Sequence, residues 1–155
     1  MKHLLAIFAL TTLTACATAP NGTPPPSSMR LSISKVVASI DNPDQTFAVQ
    51  LKLKNGFNTD LKAASVVLIA RDRDGQIVRG ANLELAAAGA LAVSAQSGTL
   101  KGTGNTLGHT VGCIEVREVR ATMPDYSMRY ATGAQALALV DGSRANLCPA
   151  EGLAQ

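Results

Sequence analysis

The chain has no tryptophan, and aromatic residues make up only 3% of it. Its core must therefore be aliphatic, built from Val, Leu, Ile and Ala, although hydrophobic residues reach 46%. Cysteines number three and histidines two, and no Cys-x-x-Cys is present. That argues against a reactive thiol site. The net charge is +3, and Lys and Arg are interspersed with Asp and Glu, as in Arg71 to Asp74 and Glu115 to Arg120. No basic run is dense enough to grip nucleic acid, and a solvated surface is expected instead. No apolar run approaches the roughly 20 residues that a spanning helix needs.

The longest apolar run is at the N-terminus. Lys2 supplies a positive charge, Leu4 to Leu10 is apolar, and Thr14 and Ala15 are small. Residues 1–15 read as a cleaved export signal and are excluded from fold reasoning. The four residues Leu13-Thr14-Ala15-Cys16 resemble the lipobox of bacterial lipoproteins at every position. The resemblance implies cleavage before Cys16 and diacylation of its thiol. Acylation of the new amine is implied as well in many Gram-negative species. One acyl chain binds a membrane only marginally, whereas two or three make a lasting anchor. Ala17 stands where an Asp often retains such proteins in the inner membrane, so the outer membrane is expected.

Cleavage there leaves about 140 residues, enough for one domain with its own core. Residues 16–28 form the lipidated Cys and a tether rich in Pro, Ser and Thr. Pro24 to Pro26 favours extended polyproline II, which limits the tether to about 40 Å. With Cys16 lipidated, Cys113 and Cys148 remain. In an oxidising compartment they are expected to pair, adding about 3–4 kcal/mol in the chain-entropy treatment. Buried free thiols or a reactive site are the alternatives.

Residues 29–155 read as one domain of sheet. Met29 to Ile40 alternates, with a slip near Lys35 that suggests a bulge. Asp41 to Asp44 is a turn cluster. Phe47, Val49, Leu51 and Leu53 alternate with Ala48, Gln50, Lys52 and Lys54, the period of a strand with one buried face. Asn55-Gly56 breaks it. Val66 to Ile69 is apolar on both faces, as in a central strand, and Asp72 to Gly75 is a tight turn before Ile77 and Val78. Asn82 to Ser97 reads as two short strands around an Ala-rich loop, with a helix as the alternative. The glycines of Gly98 to Gly108 suggest a loop. Thr110 to Thr122 and Tyr126 to Tyr130 read as strands around a Pro124-Asp125 turn, and Gln135 to Val140 is a last apolar element.

Seven or eight short strands predict an all-β, immunoglobulin/fibronectin-like antiparallel β-sandwich. The stretch from Phe47 to Gly80 resembles FxLyD-type and related immunoglobulin- or fibronectin-type domains of bacterial exported proteins. It does so through its alternating strand, Asn-Gly turn, second strand and Asp-x-Asp-Gly return. The resemblance implies a fold, and such folds carry many functions.

Chemistry is sparse. His109 is the one histidine beyond the signal, and a triad would have to recruit Ser94 or Ser97 without any Gly-x-Ser-x-Gly elbow. Cys113 lies four residues from His109, but two ligands are too few for zinc. Asp72-x-Asp74-Gly75 resembles part of a calcium loop, yet Ala70 and Ala81 occupy its first and last ligand positions. No phosphate loop is present. Tyr126, Met128 and Tyr130 share a strand face and are expected to pack in the core.

No catalytic, metal or cofactor-binding residue is therefore assigned, and no cofactor is expected. The expected protein is a non-catalytic envelope lipoprotein, anchored through Cys16, facing the periplasm or the cell surface and binding another protein. Its candidate surfaces are Gly98 to Gly108 and Tyr126 to Tyr130. Two alternatives are a surface-exposed or secreted fibronectin-like interaction factor, and a small envelope hydrolase or ligand carrier using His109.

Overall fold

The structure is a computed structural model and describes residues 29–150. The export signal, Cys16 and the tether lie outside the described residues. Seven strands and one short helix follow in order: β1 (Leu31–Asp41), β2 (Thr46–Asn55), β3 (Ala63–Asp72), β4 (Ile77–Ala86), β5 (Leu100–Asn105), β6 (Val111–Thr122), β7 (Met128–Thr132) and α1 (Gly133–Ala138). They form two antiparallel sheets, β1-β2-β5 and β4-β3-β6-β7. The chain crosses between them after β2, after β4 and after β5, which gives the immunoglobulin/fibronectin-like sandwich. The fourth strand pairs with the third, whereas in constant-type immunoglobulin domains it lies in the opposite sheet.

Alternation explains the layers. Phe47, Val49, Leu51 and Leu53 of β2 are all essentially inaccessible and meet Val66, Leu68, Ile114, Val116 and Val119 from the other sheet. β3 lies between β4 and β6, so its two apolar faces are those of a central strand. In β1 the register shifts between Ser34 and Val37, and Lys35 takes a φ of 52°. The bulge turns the strand so that Leu31 and Ile33 stay buried while Val37 is exposed.

Two local expectations are corrected, and the last apolar element gains its type. Asn82 to Ala86 is the second half of one strand, β4, and the segment from Ala87 to Ser97 is irregular. It is held by isolated bridges from Leu91 to Leu61 and from Gln96 to Lys54. Gly98 to Gly108 is not a loop throughout, because β5 runs through it. Gln135 to Val140 lies largely in α1, which buries Ala136 and Leu137.

The free edge of β1 is covered by the chain itself. Ile33 donates its N–H to the Leu139 carbonyl at 2.8 Å and accepts from Asp141 at 2.7 Å, and Asn146 Nδ2 donates to the Ala38 carbonyl at 2.9 Å. β5, β4 and β7 remain as sheet edges.

Candidate functional site

Cys113 and Cys148 are joined, with sulfurs 2.10 Å and Cα atoms 5.0 Å apart. The C-terminal segment is brought to β6 by backbone bonds on either side. Ile114 N–H donates to Asn146 and Cys148 N–H to Ile114, each at 2.9 Å. The bond thus staples an irregular tail to a central strand. Beside it lies a cleft of about 340 Å³ lined by Arg71, Asp72, Gly112 and Pro149 among others. Arg71 is already committed there, to Glu115 and to the Gly75 carbonyl.

The disulfide takes Cys113 out of any thiol chemistry with His109. His109 is exposed beside a turn and gives its backbone N–H to Thr106 at 3.0 Å. Thr106 in turn donates its N–H to Gln45, just before β2 begins. Ser97 sits at the other end of β2, where its hydroxyl accepts from Leu53 N–H at 3.0 Å and its own N–H reaches the Leu53 carbonyl. Ser94 belongs to the same segment, next to the Lys54–Gln96 bridge. About 26 Å of strand therefore separates the ends that hold His109 and the two serines, at the usual rise per residue. The Ser-His pair that a hydrolase would need is not assembled.

Asp72 closes a hairpin turn. Its Oδ1 accepts from the backbone of Asp74 at 2.9 Å and of Gln76 at 2.8 Å, and Gly75 takes a φ of 77°. The carboxylate is spent on the turn, as the missing ligand positions of the calcium pattern suggest.

Two buried polar residues were not legible as such. Glu115 is 1% exposed on β6 and is held by Arg71 Nε at 2.5 Å and Arg117 at 3.3 Å. Asn55, which reads in sequence as a strand breaker, is fully buried. Its Nδ2 donates to the carbonyls of Thr59, Leu91 and Ala92 at 2.9, 2.9 and 3.1 Å, and its Oδ1 accepts from Phe57 N–H at 2.8 Å. Two loops are tied to the end of β2 through this one side chain.

The expectation that Tyr126, Met128 and Tyr130 fill the core is overturned. They are 72%, 53% and 43% exposed. Tyr126 lies in the β6–β7 turn with a φ of 64°, not on the strand. Met128 and Tyr130 pair with Thr122 and Arg120. On β7 it is Ala131 that points inward, 3% exposed. Lys62 Nζ stands 3.9 Å from the centre of the Tyr126 ring, a cation–π contact. The turn is closed by Asp125, whose Oδ1 accepts from the hydroxyl of Ser127 at 2.6 Å and from its N–H at 2.9 Å. Those bonds, the hydroxyl's first, hold the Asp125 carboxyl below the usual carboxylate range.

Glycines explain the other surface. Gly104 pairs with Phe47 and lies under its ring; a Cβ there would stand 2.3 Å from ring carbons. Gly102 is covered by Leu83 and Leu85 of β4, with a Cβ 2.8 Å from Leu83. The absence of side chains lets core residues cross over β5, so the glycines serve packing and not loop freedom.

No described protein family matches the chain, and no curated protein matches it. Among solved structures, IrmA from Escherichia coli is similar at 15% identity and a TM-score of 0.43, covering 72% of this chain and 88% of that one. A likeness that loose carries no argument about function.

Proposed function

We propose that the protein is a non-catalytic lipoprotein of the cell envelope, anchored through Cys16, whose β-sandwich binds another envelope protein. The pairing of Cys113 with Cys148 carries this reading. It accounts for two of the chain's three cysteines and leaves Cys16, inside the lipobox-like Leu13-Thr14-Ala15-Cys16, as the third. A structural disulfide suits an oxidising compartment, which supports export. The domain begins at Met29, twelve residues beyond Ala17 by way of the Pro-rich tether, as an anchored domain requires.

The surface most suited to a protein partner is β5, an edge of the three-stranded sheet. An extended segment from a partner can add to such an edge through main-chain hydrogen bonds. The β1 edge is closed by residues Leu139 to Asp141 and Asn146.

Cys16→Ser tests the anchor. The variant should leave the membrane fraction for the soluble one, and a variant that stays membrane-bound counts against the reading. A photoreactive residue at exposed Thr103 of β5 should give a discrete crosslinked product in intact cells, while one at Ser39 of the covered β1 should not. Equal labelling from both positions would remove the β5 edge as the docking surface.

A further inference from the structure

We propose that the end of the sandwich from which the N-terminal segment departs lies directly against an anionic membrane surface, with the Tyr126 hairpin at the headgroups. The proposal rests on lipidation of Cys16 and adds a second, protein-borne contact with the bilayer.

Hydrogen bonds place the relevant residues together. Leu31 pairs with Asn55, and Gly56 N–H donates to the Arg30 carbonyl at 2.7 Å, so the described chain starts beside the β2–β3 loop. Lys62, at the end of that loop, donates its N–H to Thr122, the last residue of β6, at 2.9 Å. The β6–β7 hairpin follows at once, and Lys62 stands over Tyr126. The tether therefore leaves from the end that carries Tyr126.

Charge separates the two ends. At the tether end, Arg30, Lys54, Lys62 and Arg129 are exposed, against Asp60, Asp125 and Asp141, which leaves one net positive charge. Asp60 and Asp125 each accept a backbone N–H group, from Val93 and from Ser127. At the opposite end lie Asp41, Asp44, Asp72 and Asp74, with Arg73 and Arg79 as exposed cations nearby. An anionic surface attracts the first end and repels the second.

Tether length points the same way. Residues 17–28 reach at most about 40 Å, and a ten-residue strand is about 33 Å long. Turning the acidic end to the bilayer would use almost the whole tether to double back along the domain. The basic end reaches the surface with slack.

Side-chain chemistry fits that surface. Tyrosine has an apolar ring with a polar tip, the character found at membrane–water interfaces. Both tyrosines of the chain stand exposed on this hairpin, next to exposed Met128. In a chain so poor in aromatics, a buried position for either would have been the cheaper use.

Because the chain lacks tryptophan, its tyrosine emission reports on this hairpin alone. The acylated full-length protein is placed on vesicles of phosphatidylcholine alone and of equal parts phosphatidylcholine and phosphatidylglycerol. Acrylamide quenching of the tyrosines is then compared. It should fall at least about threefold on the anionic vesicles, and Lys62→Glu with Arg129→Glu should restore it. A protein that floats with both vesicles and is quenched equally on both overturns the proposal and leaves the anchor standing. A protein that floats with neither overturns the anchor, and the contact with it. Shielding that arises only when a partner protein is added also overturns the proposal, because the hairpin is then a protein-binding surface.

Discussion

Asn55 is the residue on which one end of the molecule depends. It is fully buried and satisfies three carbonyls from two loops while accepting from a fourth backbone group. Asn55→Ala leaves those groups buried without partners, and the expected loss is about 2–4 kcal/mol in urea unfolding. Glu115 makes a sharper test, because it is buried with Arg71 against it. Glu115→Met should cost about 3 kcal/mol by stranding the Arg71 charge. The double variant with Arg71→Met should be more stable than Glu115→Met alone, and a merely additive double variant would contradict the pairing. Neither role was legible in the sequence. Asn-Gly is a common turn signal, and an isolated Glu between Ile114 and Val116 reads as an outward position on an alternating strand. What decides both is the neighbour across space: Leu91 for Asn55 and Arg71 for Glu115. The inward set Phe47, Val49, Leu51 and Leu53 was fully legible, because period 2 alone determines which face is buried.

At the scale of elements, β5 shows how composition misleads. Four glycines between Gly98 and Gly108 suggest a loop, yet two of them are in a strand because large side chains occupy the space beside them. Gly104→Ala should destabilise by about 2–3 kcal/mol, since the Phe47 ring cannot withdraw from the core. Gly102→Ala should cost less, because Leu83 can change rotamer. Thermal unfolding that ranked the two in the opposite order would contradict this packing. The β6–β7 hairpin shows the converse error. Alternation of Tyr126, Met128 and Tyr130 is real in the sequence, but the side of the sheet to which it points is set by Ala131, the small residue that fits the interior. The bulge at Lys35 and the turn at Asp72 were both legible, the first from a slip in alternation and the second from Asp-x-Asp-Gly.

The whole molecule is a stapled sandwich with a basic end, an acidic end and a chain that leaves from the basic one. The all-β architecture follows from strand count and spacing, and the two-sheet arrangement confirms it. The order of the strands was not legible, because it depends on where the chain crosses between sheets. Everything proposed for this molecule at the membrane depends on Cys16 being the anchor and on Cys113 and Cys148 being spent on each other. The mass of the native protein extracted from membranes, taken with and without reduction, tests both together. The account predicts a chain that starts at Cys16, carries acyl mass and gains two hydrogens on reduction. A chain without lipid mass, or one whose mass does not change on reduction, would contradict it.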